Sequence, residues 1–557
     1  MAQWQKNVEF TTTKLWQDYE KSLLTQVVSD IRQSIPKCVD FYEGRQWPSA
    51  TESTKNLPRP VVNIIKMICR NKKGAILSVP VKILYKSFSP CTDVQRFNDF
   101  ASSLFKEMGQ DSIDRLAIDD AIKKGSYFYH YYWDSNARSS ADGELGSLRC
   151  ELIDPLNIFF SNPCELDEQK QDWIIISTKM DVSKILAISD NTLSKEELLS
   201  DAQNSKKFDL PIDDSKKITV LTRYFKQDNE VWCERATKNH IICKPFKLIP
   251  TLLDSQLGEL ASKKPAQQVT RRIINETILY PIVSGYYERK EGSIYGMGEV
   301  EGLIPNQKAI NFNIAMALLN AQQCAWGKYI ALPNALNGQK ISNVPGQVLI
   351  DYSGTGDGIK KMPELELSKI PMELVSMLNS MTRSVSGASE VMTGETYTST
   401  LSGAAIAYLQ AQAQIPIEEL RNNFWDTKRK QGLVVAQFMK HCFWKRAYIK
   451  EPLTTGDEKA SEIDNFYSCD YENALFDVYV EAIGGTKSSL ASDISLLDTC
   501  LKNGKISLET YIKAYPASAI TNKEEILKQI QSEKLSEISL LKCELEYYKK
   551  KFKEKLT

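Results

Sequence analysis

Apolar positions first recur at helical spacing over residues 10–35, where Leu15, Trp16, Tyr19, Leu23, Leu24, Val27 and Ile31 share a face. Pro36 should close that helix, because its ring removes a backbone donor and crowds the preceding turn. The aromatic stretch from Phe41 to Pro48 reads as a turn held by Trp47 in a core, with a ligand site as the alternative. Pro60 suits the first position of a helix over Val61–Arg70. The period then falls to two, and Val79–Tyr85 alternates like a strand. Helical runs follow at about 92–108 and 110–124. Gly125–Trp133 and Ser147–Ile153 read as paired strands around an Asp/Gly/Ser-rich turn, and Trp173–Thr178 as another strand. Lys217–Thr237 and His240–Leu248 supply at least two more strands. Residues 182–215 read as short helices and a polar loop, and 253–275 are polar and poorly periodic. Grouped strands with segregated helices make the first half an α+β domain.

The pattern changes at the turn Gly292–Gly296. Val300, Leu303, Ile304, Ile310, Ile314, Ala317 and Leu318 keep a helical period, predicting a helix from Gly298 to Cys324, about 40 Å long. Its other positions are small or amide, among them Asn306, Gln307, Asn311, Asn313 and Asn320. Such a face predicts a helix that touches neighbours on several sides, copies of itself included. A Pro/Gly-rich segment runs from Trp326 to Pro363, and a second helix from Pro371 to Glu390. A hydroxyl-rich loop, Met392–Thr400, leads to a third helix, Ser402–Trp444, which Pro416 should kink. Small Ala-rich positions precede the kink. Bulky ones follow it, such as Leu420, Phe424, Trp425 and Phe438. Leu475–Val480 is the clearest later strand. Ser488–Lys502, Ser507–Tyr515 and a charged run over 521–553 read as helical.

Composition narrows the function more than the fold. The 557 residues carry 70 basic and 70 acidic side chains, 42% hydrophobic and 25% charged positions. A formally neutral chain is unsuited to static, tight nucleic-acid binding, which rests on many phosphate-neutralising cations. The 12 cysteines are scattered with no C-x-x-C pair, and the three histidines lie far apart. Reduced core thiols are therefore expected, with no metal centre and no cofactor. The first residues show no basic flank leading into an apolar core, and no apolar run approaches a membrane span. Assembly in the cytoplasm, away from membranes, is the expectation.

No catalytic constellation emerges, and the expectation is of a protein that is not an enzyme. Gly354–Lys361 lacks the spacing of a phosphate cradle. Asp351 precedes that loop and Asp357 lies in it, but two acids with no third ligand make a poor Mg²⁺ site for a nuclease. The aromatics of Tyr127–Trp133 could stack bases, although alternating rings in a strand also describe a core. The loop Thr393, Gly394, Glu395, Thr396, Tyr397, Thr398, Ser399, Thr400 offers hydroxyls and one carboxylate. It could touch phosphates weakly, or be an ordinary turn between helices.

Several ordered stretches resemble the portal proteins of tailed bacteriophages, the Podovirus-like ones most. They are Glu43–Trp47, Arg59–Ile65, Ile153–Pro155, Gly292–Gly296 leading into Val300–Asn313, Ser386–Gly394, and Ser402–Ile406 with Gln410 and Gln412. The breaks at Lys502–Gly504 and Tyr515–Pro516 complete the set. The order of these stretches, over nearly the whole chain, carries the likeness. The resemblance implies a helix-rich α+β portal fold. Its parts would be a wing at 1–297, a stem of two helices at 298–325 and 371–391, and between them a small β-containing clip at 326–370. A tunnel loop at 392–401, a long kinked helix with the rest of the wing at 402–486, and a helical crown at 487–557 would follow. It further implies a ring of identical subunits, a dodecamer, at the unique capsid vertex of the virion. Double-stranded DNA would pass through it in packaging and ejection. Its partners would be the terminase large subunit, then the adaptor or neck protein, and the major capsid and scaffolding proteins. Residues 393–400 would face the DNA, and Lys328, Asn334, Asn337, Lys340 and Asn343 of the clip would serve docking. A different virion connector or baseplate component is the alternative. Residues 182–215 and 253–275 match no part of that plan.

Overall fold

Alternation along one aromatic strand organises the interior. The structure is a computed structural model, which describes residues 12–55, 57–88, 93–138, 145–189, 217–227, 230–248, 278–325, 329–340, most of 348–361, 370–387, 403–443, 445–449, 463–471, 474–482 and 496–514, with isolated residues elsewhere. Strand β2 (Ser126–Arg138) lies between β3 (Leu145–Ile153) and β9 (Ile282–Tyr286) in an antiparallel sheet. Successive side chains of a strand point to opposite faces. Tyr127, Tyr129 and Tyr131 accordingly enter one hydrophobic core, and Phe128 enters a second. All four are buried, so these rings are core and not a base-stacking surface. His130 faces the same way as Phe128, with Nε2 2.8 Å from the Tyr224 hydroxyl of the neighbouring sheet.

That neighbouring sheet is a five-stranded antiparallel meander. It comprises β4 (Ile158–Phe160), β5 (Trp173–Asp181), β6 (Lys217–Gln227), β7 (Glu230–Ala236) and β8 (Ile241–Lys247). Pro245 sits in β8, the edge strand, where a missing backbone donor costs no ladder bond. Helices α1 (Thr12–Leu23) and α2 (Gln26–Glu43) contribute Leu15, Tyr19, Val28, Ile31 and Ile35 to the second core. The single helix expected to stop at Pro36 is two helices parted at Leu24–Thr25, and α2 runs through Pro36 to Glu43. An interior proline costs about 3 kcal/mol. Burial of Ile35, Cys38 and Phe41 around it offsets that cost.

The first core gathers α3 (Ile64–Leu77), α4 (Val94–Glu107) and α5 (Gln110–Lys124) with two segments from the far end of the chain. Strand β1 (Val81–Ser87) pairs with β14 (Phe476–Ala482) in antiparallel register. The long helix α9 (Gly403–Cys442) crosses this pair at Gly432. A Cβ there would lie 2.5 Å from Val478 Cγ1 and 2.8 Å from Ile83 Cγ2, so only glycine permits the approach. Tyr85 donates its hydroxyl to the Gly432 carbonyl at 3.1 Å across the same contact. Strands β12 (Lys445–Ile449) and β13 (Ile463–Tyr467) form a separate antiparallel pair. Between β5 and β6 only α6 (Val182–Ile188) and a few single residues are described. The segment 253–275 and most of 521–553 lie outside the described residues. Residues 496–502 and Leu508–Ala514 are helical.

Candidate functional site

Helix α7 (Glu299–Ala325) begins inside the molecule and ends outside it. The turn before it fixes the start. Tyr295 is buried and donates its hydroxyl to the Ile158 carbonyl at 2.8 Å, and the Gly296 amide donates to Ser126 Oγ at 2.7 Å. A side chain at Gly296 would meet the Glu288 carbonyl oxygen at 2.5 Å and that of Gly125 at 2.7 Å. The first acidic residue of the helix, Glu299, is paired with Lys72 at 2.8 Å and accepts from the Tyr287 hydroxyl at 2.8 Å. Burial, then the Glu299 charge, pushes the Cys69 thiol beside this cluster up to about 12. Cys38, Cys150, Cys233 and Cys442 are also pushed up to about 12, burial being the first cause for each. Those thiols are inert filling, whereas Cys164 and Cys469 are exposed.

Two of the amides that made α7 look unusual are spent inside the chain. Gln307 Oε1 accepts from the Ile64 and Ile65 amides at 3.1 and 3.4 Å, which caps α3 from a distance. Its Nε2 donates to the Val62 carbonyl at 2.6 Å and to Asn311 Oδ1 at 3.0 Å. Asn311 Nδ2 donates in turn to Gln46 Oε1 at 2.6 Å. Gln307 and Asn311 thus clamp the loop between α2 and α3 and do not await copies of the chain. Trp47 closes the same loop by donating to the Pro60 carbonyl at 2.9 Å. Of the two readings of that turn, this favours the structural one.

Beyond Ala315, no described residue of α7 is buried. Its partner there is α8 (Ile370–Val385), whose own buried residue is Thr382. Leu378, Val375 and Ile314 pack towards the first core. After α8 the chain turns at Gly387, which abuts Pro416 of α9. The two helices therefore leave the body and return to it. Their bounds agree with the sequence reading to within a residue or two, except that the described helix stops at Val385 rather than Glu390.

The segment between them carries a small two-stranded sheet, β10 (Tyr329–Ala331) with β11 (Ile359–Lys361). Ala335 is buried beneath the loop that follows β10. The Gly358 amide donates to Asp351 Oδ2 at 2.8 Å, and Asp357 pairs with Lys360 at 3.2 Å. Both acids thus do local turn work around Gly358. Among the described residues no group of three or more His, Cys, Asp or Glu is placed to hold a metal. Of the proposed docking residues, Asn334, Asn337 and Lys340 are exposed on this loop, and Asn337 has a positive φ of 35°. Lys328, Asn343 and all of Thr393–Thr400 lie outside the described residues.

Sequence reasoning missed the outward side of α8. Ile370, Leu374, Met377, Met381 and Val385 form an exposed apolar stripe at helical spacing. The periodicity was visible, but an apolar stripe looks the same whether it packs inward or meets something else.

The architecture is that of a structural subunit, a folded body from which a paired helix and a small β tip extend. Residues 23–450 match the family of phage P22-like portal proteins, and the chain belongs to that family. No curated protein sequence matches it. Membership gives it a phage portal role as a structural component of the virion at the capsid vertex. No helix among the described residues is long and apolar enough to cross a membrane.

Proposed function

We propose that the chain assembles into a closed ring, a dodecamer, that conducts double-stranded DNA during packaging and ejection. The observation that carries this reading is α7, locked into the body by Glu299, Gln307 and Asn311 and then bare beyond Ala315 except for α8. A lone subunit gains little from about 15 Å of helix extended into water. A ring gains a wall. In this reading 298–325 and 371–391 form the stem, 326–370 the clip, 392–401 the tunnel loop, and 1–297 with 402–486 the wing, with 487–557 as crown. The clip docks the terminase large subunit and later an adaptor or neck protein, using Lys328, Asn334, Asn337, Lys340 and Asn343. The exposed asparagines and Lys340 suit a polar docking rim. The loop Thr393–Thr400 faces DNA with hydroxyls and Glu395. It carries no cation, so it offers phosphates no strong grip.

Images of the purified protein along the assembly axis test the ring. A closed ring with a central channel is expected, and monomer or dimer under all conditions overturns it. Deleting Thr396–Ser399 should leave rings intact and yield particles that fail to fill with or retain DNA. Normal genome-filled particles would remove the loop from the mechanism.

A further inference from the structure

Ring closure requires two different faces that fit one another, because each subunit meets one neighbour on each side. The helix pair carries two such faces. On α8 the stripe Ile370, Leu374, Met377, Met381, Val385 is exposed, Val385 by 79% and Met381 by 48%. On α7, Phe312 and Met316 are exposed by 58% and 46%. They lie on the side of the helix opposite Ile310 and Ile314, which face the body. Neither face covers the other within the subunit, since both remain open to solvent.

Their heights also agree. Among the described residues the last buried one of α7 is Ala315, and the buried ones of α8 and its closing turn are Thr382 and Ser386. Phe312–Met316 and Met377–Val385 therefore leave the body at the same level. A rotation about a ring axis along the helices moves nothing along that axis, so contacting faces must lie at equal height. Phe312 with Met316, and Met377 with Met381 and Val385, each form an i, i+4 ridge whose residues step by about 6 Å, and such ridges pack into the grooves between their counterparts.

We propose that the α8 stripe of one copy seats on the Phe312–Met316 ridge of the next, making this the head-to-tail contact of the assembled wall. The proposal rests on the ring reading above and names the surfaces that close it. The occupant is a second copy, because the same chain supplies both faces at matching height and spacing.

Complementation between two single-face variants tests it, read by native mass measurement. Phe312→Glu blocks the α7 face and Met381→Glu blocks the α8 face. Each alone should stay a folded monomer. Mixed, they should form a heterodimer and nothing larger, because each retains one working face. Closed rings from either variant alone, with wild type also forming rings, overturn the proposal and leave the ring intact. A Phe312→Glu dimer overturns it in favour of α8 meeting α8. Wild type that never assembles overturns the ring reading itself. If the charged variants fail to fold, Phe312→Ser and Met381→Ser serve instead. Each should raise the concentration for half-assembly at least tenfold, and unchanged assembly would overturn the proposal. A lowered melting point of the Met381 variant with unchanged assembly would likewise overturn it, assigning the stripe to a contact inside the chain.

Discussion

The two halves of α7 obey different rules. In the first, Glu299, Gln307 and Asn311 each have a partner in the body, and Val300, Leu303 and Ile310 are buried. In the second, polar side chains bond within their own helix or face water, as Asn320 does in accepting from Cys324 Sγ at 3.1 Å. Met316 and Leu318 of that half stay exposed. The first half shows a chain that satisfies itself. The second shows one that reserves surface, and contiguous apolar surface of that kind marks an interaction site.

Substitutions that separate body from helix pair sharpen the contrast, and the largest effect is expected at Asp114. This carboxylate of α5 pairs with Lys428 of α9 in the interior and accepts from the Tyr129 hydroxyl at 2.8 Å and from Gln110 Nε2 at 3.0 Å. Both partners of the ion pair are nearly excluded from solvent, 6% and 8% exposed. Asp114→Ala leaves Lys428 buried without its counter-charge, which should cost about 3–5 kcal/mol in denaturant unfolding. Met377→Ala, out on α8, should change subunit unfolding by less than about 0.5 kcal/mol. Equal effects from the two would erase the distinction.

A finer test stays within α7. Gln307→Leu takes the side-chain acceptor from the Ile65 amide, while the Ile64 amide and the Val62 carbonyl lose one partner each and keep their 2.9 Å bond to one another. Stranding the Ile65 amide should cost about 1–3 kcal/mol. Gln322→Leu, four turns on and exposed, should fall within about 0.5 kcal/mol of wild type. Urea midpoints of the two variants give the comparison directly.

Much of this layout was legible in the chain because it is local. The helix expected over Gly298–Cys324 is Glu299–Ala325, and the one expected over Ser402–Trp444 is Gly403–Cys442. Long periodic runs declare themselves. What escaped was set at long range. Nothing in Val81–Ser87 announces that its partner is Phe476–Ala482. Gln307 as a cap for α3 depends on a loop far back in the sequence. Pro36 was misjudged because its local cost is outweighed by packing that periodicity does not weigh. The proposed tunnel loop is a different matter. Its residues lie outside the described ones, so its role rests on resemblance alone.

The smallest expected effect concerns acid. Burial tends to raise the Asp119 carboxyl, but Lys123 and Lys73, the latter at 3.0 Å, outweigh it and hold the group below its usual value. A carboxylate depressed in the folded state stabilises it fully above its unfolded value near about 3.9, and that contribution fades as pH falls through the lower folded value. Asp119→Asn should therefore lower the melting point at pH 6 and narrow the gap between melting at pH 6 and pH 3. The other carboxylates held low among the described residues, Glu151 and Asp464, also belong to the body, through His130 and through the Asn465 amide with Arg96. Acid should thus loosen the body while the apolar faces of α7 and α8, which carry no titrating group in their stripes, keep their affinity for one another. Rings that fall apart into folded subunits at pH 3, with the body's melting unchanged, would invert the comparison.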